Sequence, residues 1–301
     1  MPSPPVQWYP GHMARAVQAL RTHLQRVDVV IEVRDARIPA SSTHPLLQQW
    51  ATNGLIVLNR RDQIPPAIGK QWQQALQTPE RPVLLTEARQ GQGLGHLHQA
   101  IAQVGERVNQ RRRQRGMLPR AVRVAVVGCP NVGKSALINR LLGRRVVASA
   151  AKAGVTRQCQ WVRISPDLEL LDTPGILPPR LDDQQAALHL AICDDISEAA
   201  YDPYLVALAF LERLWTLPPA AHHPPDALQR RYRLDPQSHT PEGYLAALAE
   251  QHFRGNLHRS AQTLLQDFRQ GHLGQIALEL PPKPNRRLHP ATALPGPGSD
   301  R

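Results

Sequence analysis

Residues 122–135 read Val-Arg-Val-Ala-Val-Val-Gly-Cys-Pro-Asn-Val-Gly-Lys-Ser, and the helix-forming run Ala136 to Leu142 follows before Gly143 stops it. An apolar strand that turns through two glycines into a helix is the setting that the pattern G-x-x-x-x-G-K-[ST] requires. Glycines let successive backbone N–H groups face phosphate oxygens, and the start of the helix adds its partial positive charge. Lys134 would reach the outer phosphates and Ser135 would ligate Mg²⁺, while Asn131, Val132, Gly133 and Ala136 line the same loop. Lysine is scarce, with four in 301 residues, so a chance match to this pattern is remote.

Toward the C-terminus, strands are expected at about 160–165 and 168–171, and the second ends on Asp172-Thr-Pro-Gly175. There an Asp can approach a metal through water, and Gly175 can offer its N–H to a terminal phosphate. Between the two motifs, Gly154-Val-Thr156 supplies a hydroxyl that either completes a Mg²⁺ shell or serves the loop alone.

Toward the N-terminus, three further strand-like runs appear, Val27 to Val33, Leu55 to Leu58 and Val83 to Leu85, with helix-length segments between them. Met13, Val17, Leu20, Leu24 and Val27 mark an amphipathic helix over 13–27. Another helix is expected after Gln92-Gly93-Leu94, running into an Arg-rich connection that Gly116 and Pro119 end. The alternation predicts an α/β domain over 1–178 with a doubly wound, mostly parallel sheet. From Leu181 the composition turns to Ala, Leu and Gln with proline breaks, predicting a smaller α-helical domain over 179–280. The Pro- and Gly-rich tail 281–301 is expected to be disordered.

Asn59-Arg60-Arg61-Asp62 stands directly after the run Leu55 to Leu58 and resembles the N-K-x-D guanine motif of GTPases, with Arg60 in the place of Lys. A carboxylate at its fourth position accepts from the ring N–H and the exocyclic amine of guanine, an arrangement adenine does not offer. Glu87-Ala88-Arg89 occupies the place of the S-A-K loop. The order is guanine motif, phosphate loop, then D-x-P-G, the reverse of ordinary GTPases. In this the chain resembles the circularly permuted GTPases, and closely the bacterial ribosome-biogenesis GTPase A family. Tyr9-Pro-Gly-His-Met13, Asp28 to Arg37, Asn131 to Ser135, Asp267 to Gly274 and Leu278-Glu279 carry the resemblance over about residues 5–280.

The resemblance implies a circularly permuted P-loop GTPase domain, GTP and GDP as ligands, Mg²⁺ as cofactor, and work on the large (50S) ribosomal subunit and its rRNA. It also offers His12 as the catalytic group, since Ile176 follows D-x-P-G where many GTPases keep a water-orienting Gln. A low unaided rate, raised by ribosomal particles, follows. Read from the residues alone, His12 near a helix start serves equally as a cap or packed side chain. Asn131 resembles the Asn that holds K⁺ in potassium-stimulated GTPases; an Asn bonding its own loop is the other reading. Asp35-Ala-Arg37 reads as an ion pair pinning a strand end.

Net charge is +12, and fourteen basic residues with no acidic one lie between Arg107 and Arg163. The rest of the chain is slightly acidic. Such a field steers polyanions, so Arg111, Arg112, Arg113 and Arg115 read either as an RNA contact or as a solvated helix face. Arg230, Arg231, Arg233, Arg254, Arg259 and Arg269 lie among acids and make a weaker case. Three cysteines without paired or metal-type spacing, a start without an export signal, and no apolar run long enough for a bilayer predict a cytoplasmic monomer with no membrane or DNA partner. The rival function is a non-hydrolysing, nucleotide-regulated RNA-binding scaffold.

Overall fold

The computed structural model describes residues 22–43, 54–143, 160–173, 183–224 and 226–282. Six strands, β1 (Val29–Asp35), β2 (Gly54–Asn59), β3 (Val83–Leu85), β4 (Val122–Val127), β5 (Gln160–Ser165) and β6 (Leu168–Asp172), make one sheet in the order β3-β2-β1-β4-β6-β5. Five run parallel, and β5 closes one edge antiparallel to β6. The central strands carry buried side chains on both faces, which is why they read as nearly continuous apolar runs.

Helices cover both faces. α1 (Pro66–Leu76) seals Ile56, Leu58 and Val83 with Ile68 and Trp72. On the other face, Ile31, Val33, Val57, Val124 and Val126 meet Leu97 and Ile101 of α2 (Leu94–Gln114) and Leu137 and Ile138 of α3 (Lys134–Leu141). Chain order fixes the site. From β1 the chain winds outward through β2 and β3, then returns to place β4 on the other side of β1. Ligand crevices in doubly wound sheets open at the carboxyl ends of the strands flanking such a reversal. The phosphate-loop sequence begins there, at the end of β4.

A helical segment follows: α4 (Gln184–Ile192), α5 (Pro203–Thr216), α6 (Ala227–Tyr232), α7 (Pro241–Phe253) and α8 (Leu257–Gln270). Its core, with the Phe210 and Phe268 rings 4.7 Å apart, is continuous with the α2–α3 face of the sheet. Pro203 and Pro241 begin helices instead of breaking them. Asp202 and Thr240 cap the first backbone N–H groups, and a proline in the first turn gives up no helical bond. Of the N-terminal helix, residues 22–24 are described and helical; most of it, and 283–301 of the tail, lie outside the described residues. No helix among the described residues is long and apolar enough to cross a membrane.

Arg37 holds these parts together. Its guanidinium, without exposed surface, gives two bonds to Asp35 (3.0 and 2.7 Å) and one to the Cys193 carbonyl (3.2 Å). It also lies 5.0 Å from the Phe268 ring centroid. The Arg37 carbonyl accepts from the N–H groups of Leu278 and Glu279. Arg37→Ala would remove the two-bond partner of buried Asp35 and leave Arg60, at 3.3 Å, as its one charged partner among the described residues; breaking a buried pair typically costs about 3–5 kcal/mol. Urea unfolding of the two proteins measures this, and a loss under about 1 kcal/mol would contradict the role.

Candidate functional site

Gly128-Cys-Pro-Asn-Val-Gly-Lys-Ser135 leaves β4 by a path that only a residue without Cβ can take. A Cβ on Gly128 would stand 2.2 Å from the Val33 carbonyl oxygen, so the loop passes hard against the end of β1. Gly133 has φ 99°, and a Cβ there would stand 2.3 Å from Asn59 Nδ2. Lys134, the first residue of α3, folds its ammonium back over the loop onto the carbonyls of Gly128 (3.2 Å) and Cys129 (2.7 Å). Burial pulls its pKa down to about 8, against the attraction of nearby Asp172. An ammonium held in a ring of backbone groups with so little solvation is poised for an anion.

The segment after β2 reaches the same loop. Asn59 Nδ2 donates to the Val132 carbonyl (2.8 Å), and its Oδ1 accepts from Ala88 N (3.0 Å) and Thr86 Oγ1 (3.2 Å). One buried amide therefore joins three loops, and Asn59 is a tie between them. Arg60, forced to φ 66°, gives a bond to the Asn131 carbonyl (2.8 Å) and approaches Asp35 Oδ2 at 3.3 Å. Its head turns inward to the loop junction, so lying along a base is not its only task. Arg61 and Asp62 start a short 3₁₀ turn and are exposed. No side-chain bond engages the Asp62 carboxylate among the described residues, so it is available to a ligand. Glu87 accepts from the N–H groups of Arg89 and Gln90 and shapes the neighbouring loop.

Asp172 is buried at the end of β6, beside β4, and Ser135 follows Lys134. A carboxylate and a hydroxyl at the mouth of the loop are hard oxygen donors of the kind Mg²⁺ prefers, so these residues fit the ion. Asn131 does not bond only its own loop. Its Nδ2 donates to the Asp194 carbonyl (2.6 Å) beyond α4, leaving Oδ1 as its one ligand atom. His12, Thr156, Gly175 and Ile176 lie outside the described residues.

Several residues of the junction carry no motif. Asp195 is fully buried, and neither carboxylate oxygen has a hydrogen-bond partner among the described residues. Burial, and then the charge of Asp35, push its pKa well up. Arg269 caps α4 through the carbonyls of Ala191 (2.8 Å) and Ile192 (3.0 Å) and pairs with Glu198 (3.2 Å). Arg231 pairs with Asp267 and Arg230 with Asp226. Of these arginines of the weaker case, Arg269 is enclosed, while Arg230 and Arg231 are paired on the surface.

The acid-free basic stretch is also partly neutralised, by acids from elsewhere in the chain. Asp28 binds Arg120 through both oxygens (2.8 and 3.0 Å), Glu169 pairs with Arg123 (3.2 Å), and Glu106 pairs with Arg113 (3.1 Å). Arg111 and Arg115 stay exposed at the C-terminal end of α2, beyond which Leu118 is 83% exposed.

A family described as "50S ribosome-binding GTPase" matches residues 123–207. "Ribosome biogenesis GTPase A" of Bacillus pumilus is 32% identical over 290 residues, covering 92% of this chain and 99% of that protein. The protein of the same name from Bacillus licheniformis is 33% identical over 291 residues, covering 92% and 98%. Among solved structures, GNP-bound YlqF from Thermotoga maritima superposes with a TM-score of 0.60 at 21% identity, covering 89% of this chain and 98% of that one. At that identity it speaks for the fold alone.

With only four lysines in the chain, lysine labelled at ¹³Cε lets the Lys134 titration be followed directly by NMR. Without nucleotide its midpoint should lie near pH 8. Magnesium GDP should move it above 10, because a phosphate favours the ammonium and offsets its burial. If no lysine titrates below 10 in the free protein, the inward-folded ammonium is wrong.

Proposed function

The chain belongs to the ribosome biogenesis GTPase A family, a family of GTPases that act in ribosome assembly, and from that premise we propose a switch working on the large ribosomal subunit and its rRNA. It hydrolyses GTP, which removes the non-hydrolysing scaffold as a reading. The observation that carries the proposal is the meeting of three segments at one end of the sheet: the Asn59–Asp62 turn after β2, the phosphate loop after β4 and Asp172 at the end of β6. Asp62 would read guanine with its exposed carboxylate. Lys134 and the loop N–H groups would hold the phosphates. Ser135 and Thr156 would hold Mg²⁺ directly and Asp172 would hold it through water; the ion, when bound, neutralises charge on the transferred phosphoryl group.

His12 takes the catalytic place in this proposal, since the aliphatic Ile176 cannot orient water. Hydrolysis by the chain alone would then be slow, and ribosomal particles would raise its rate. Asn131, its Nδ2 turned to Asp194, would offer Oδ1 to K⁺. Gly175 would sense the terminal phosphate, and the chain from there enters α4 within ten residues, so phosphate loss would be passed to the helical segment. Arg111 and Arg115, with Arg112 and the partly neutralised Arg113, would contact RNA backbone. A switch acting on large subunits would work in the cytoplasm, with no membrane or DNA partner.

Sedimentation of the full chain with large subunits tests the reading. Co-migration is expected with a non-hydrolysable GTP analogue and its loss with GDP; the same distribution in both states would refute a switch. Guanine selectivity has its own test. Asp62→Asn should weaken GTP about ten- to a hundredfold, as the loss of a charged acceptor does, while xanthosine triphosphate gains. Equal binding of ATP and GTP by the unmutated protein would remove Asp62 from this role.

A further inference from the structure

The opposite end of the sheet carries a second concave site. Arg123 of β4 stands across from Glu169 of β6, which stands across from Arg163 of β5, so these three form one row on the face away from the helical segment. Trp161, two residues from Arg163, shares that face because side chains alternate along a strand. Arg26 joins them from the turn before β1. Together they line a cavity of about 330 Å³, at the lower end of the roughly 300–1,000 Å³ of small-molecule sites.

The chemistry of the lining is uneven. Glu169 is engaged by Arg123 at 3.2 Å. Arg26 and Arg163 are exposed and make no ion pair among the described residues, so three guanidiniums meet one carboxylate. Trp161 is half-buried: it packs against Leu24, Ala125, Val127 and Leu171 and lies 5.7 Å from the Arg123 guanidinium. A flat aromatic and a guanidinium plane beside two uncompensated cations suit a ligand that is planar at one end and anionic at the other.

The surroundings extend the charge. Asn109 of α2 exchanges two hydrogen bonds with the Arg120 backbone, both 3.1 Å, at the entrance to β4. This brings the Arg111–Arg115 end of α2 to the same edge of the sheet. Arg123 and Gly128 stand five steps apart along the chain, roughly 16 Å of strand, so the cavity is no part of the phosphate loop.

We propose that this cavity takes one unpaired nucleotide of RNA, its base against Trp161 and Arg123 and its phosphate between Arg26 and Arg163. The choice of RNA rests on the ribosomal reading above; the choice of a single strand rests on the site. Bases within a duplex have no free face to offer an indole, and the grooves of A-form RNA do not present one. Stacking of this kind tolerates any base, so the site adds grip where the particle has an exposed loop or end.

The test uses the full chain and fluorescein-labelled RNA of mixed sequence, once as a 12-nucleotide single strand and once as a duplex of the same length. Trp161→Ala should weaken the single strand about tenfold or more and the duplex less than twofold. Trp161→Phe should restore most of the binding. Arg163→Gln, on an exposed strand position, should lower the slope of log affinity against log salt by about 0.7 on the single strand. Unchanged single-strand affinity in Trp161→Ala, or equal weakening of strand and duplex, would overturn the proposal, as would a Trp161-dependent preference for an acidic peptide over RNA. GTP turnover of each variant reports whether it has folded. Should subunit sedimentation fail while oligonucleotide binding still depends on Trp161, the ribosomal reading falls and the cavity stands.

Discussion

A charged arginine with no exposed surface sits where four parts of this chain meet, and that burial constrains the rest. Taking a guanidinium out of water is costly unless every neighbour answers it. Arg37 is answered by the Asp35 carboxylate from β1, by a carbonyl at the end of α4, by the Phe268 face from α8 and, through its own carbonyl, by the chain at Leu278 and Glu279. Burial pulls against its charge, but the Asp35 carboxylate outweighs it and leaves the Arg37 pKa raised. A lysine could lose its proton in this place; an arginine does not. The cation is therefore permanent, and the elements around it must stay assembled to keep its bonds to Asp35 and Cys193, since Nη1 has no hydrogen-bond partner among the described residues.

The same carboxylate links that junction to the phosphate loop. Asp35 also receives Arg60, Arg60 gives to the Asn131 carbonyl, and Asn131 gives to Asp194 beyond α4. A displacement of the loop would thus strain bonds that end in the helical segment within two or three steps. Beside this chain lies Asp195, buried and unpartnered, its carboxyl pushed toward the neutral form by burial and by Asp35. A second lock closes the far side: Glu279 accepts from the backbone of Ala40 and Ser41 and from the hydroxyl of Ser41, and His189 of α4 approaches it at 3.0 Å. Both connections join β1's following loop to the helices, so that loop cannot be remodelled without the helical segment responding.

Much of this frame was legible in the residues. Largely apolar runs of three to seven residues separated by helix-length stretches pointed to the parallel sheet, because buried parallel strands have few other ways to be written. The Gly128–Ser135 pattern located the crevice, since its glycines answer to close contacts with Val33 and Asn59 that a Cβ would block. What stayed hidden shares one physical cause: it depends on partners far apart in the chain. Glu32 and Arg34 sit buried in β1, where a polar pair argues against a core strand; they are tolerated because they bond each other at 2.9 Å and Arg81 joins them. Asp194 and Asp195 carry no motif, and only the fold shows which of them meets Asn131. Prolines 203 and 241 looked like interruptions, because a helix start and a helix break differ in the cap before the proline rather than in the proline itself.

Pairing in three dimensions also changes what the basic stretch means. By sequence its fourteen cations form one undivided field. In the fold, Asp28, Glu106 and Glu169 withdraw Arg120, Arg113 and Arg123 from it, and Lys134 is enclosed in its own loop. Among the described residues, Arg107, Arg111, Arg115, Arg140 and Arg163 remain exposed; Arg111, Arg115 and Arg163, with Arg26 added from outside the stretch, gather at the amino-terminal edge of the parallel strands while the phosphate loop occupies the carboxyl-terminal edge. Two anion-attracting regions at opposite strand ends draw on different donors, backbone N–H groups and one ammonium at one end, exposed guanidiniums at the other. They need not compete for the same charge, so any influence of one on the other has to pass through packed structure. Strand β4, which carries Arg123 near its start and leads into Gly128 at its end, is the shortest packed path between them.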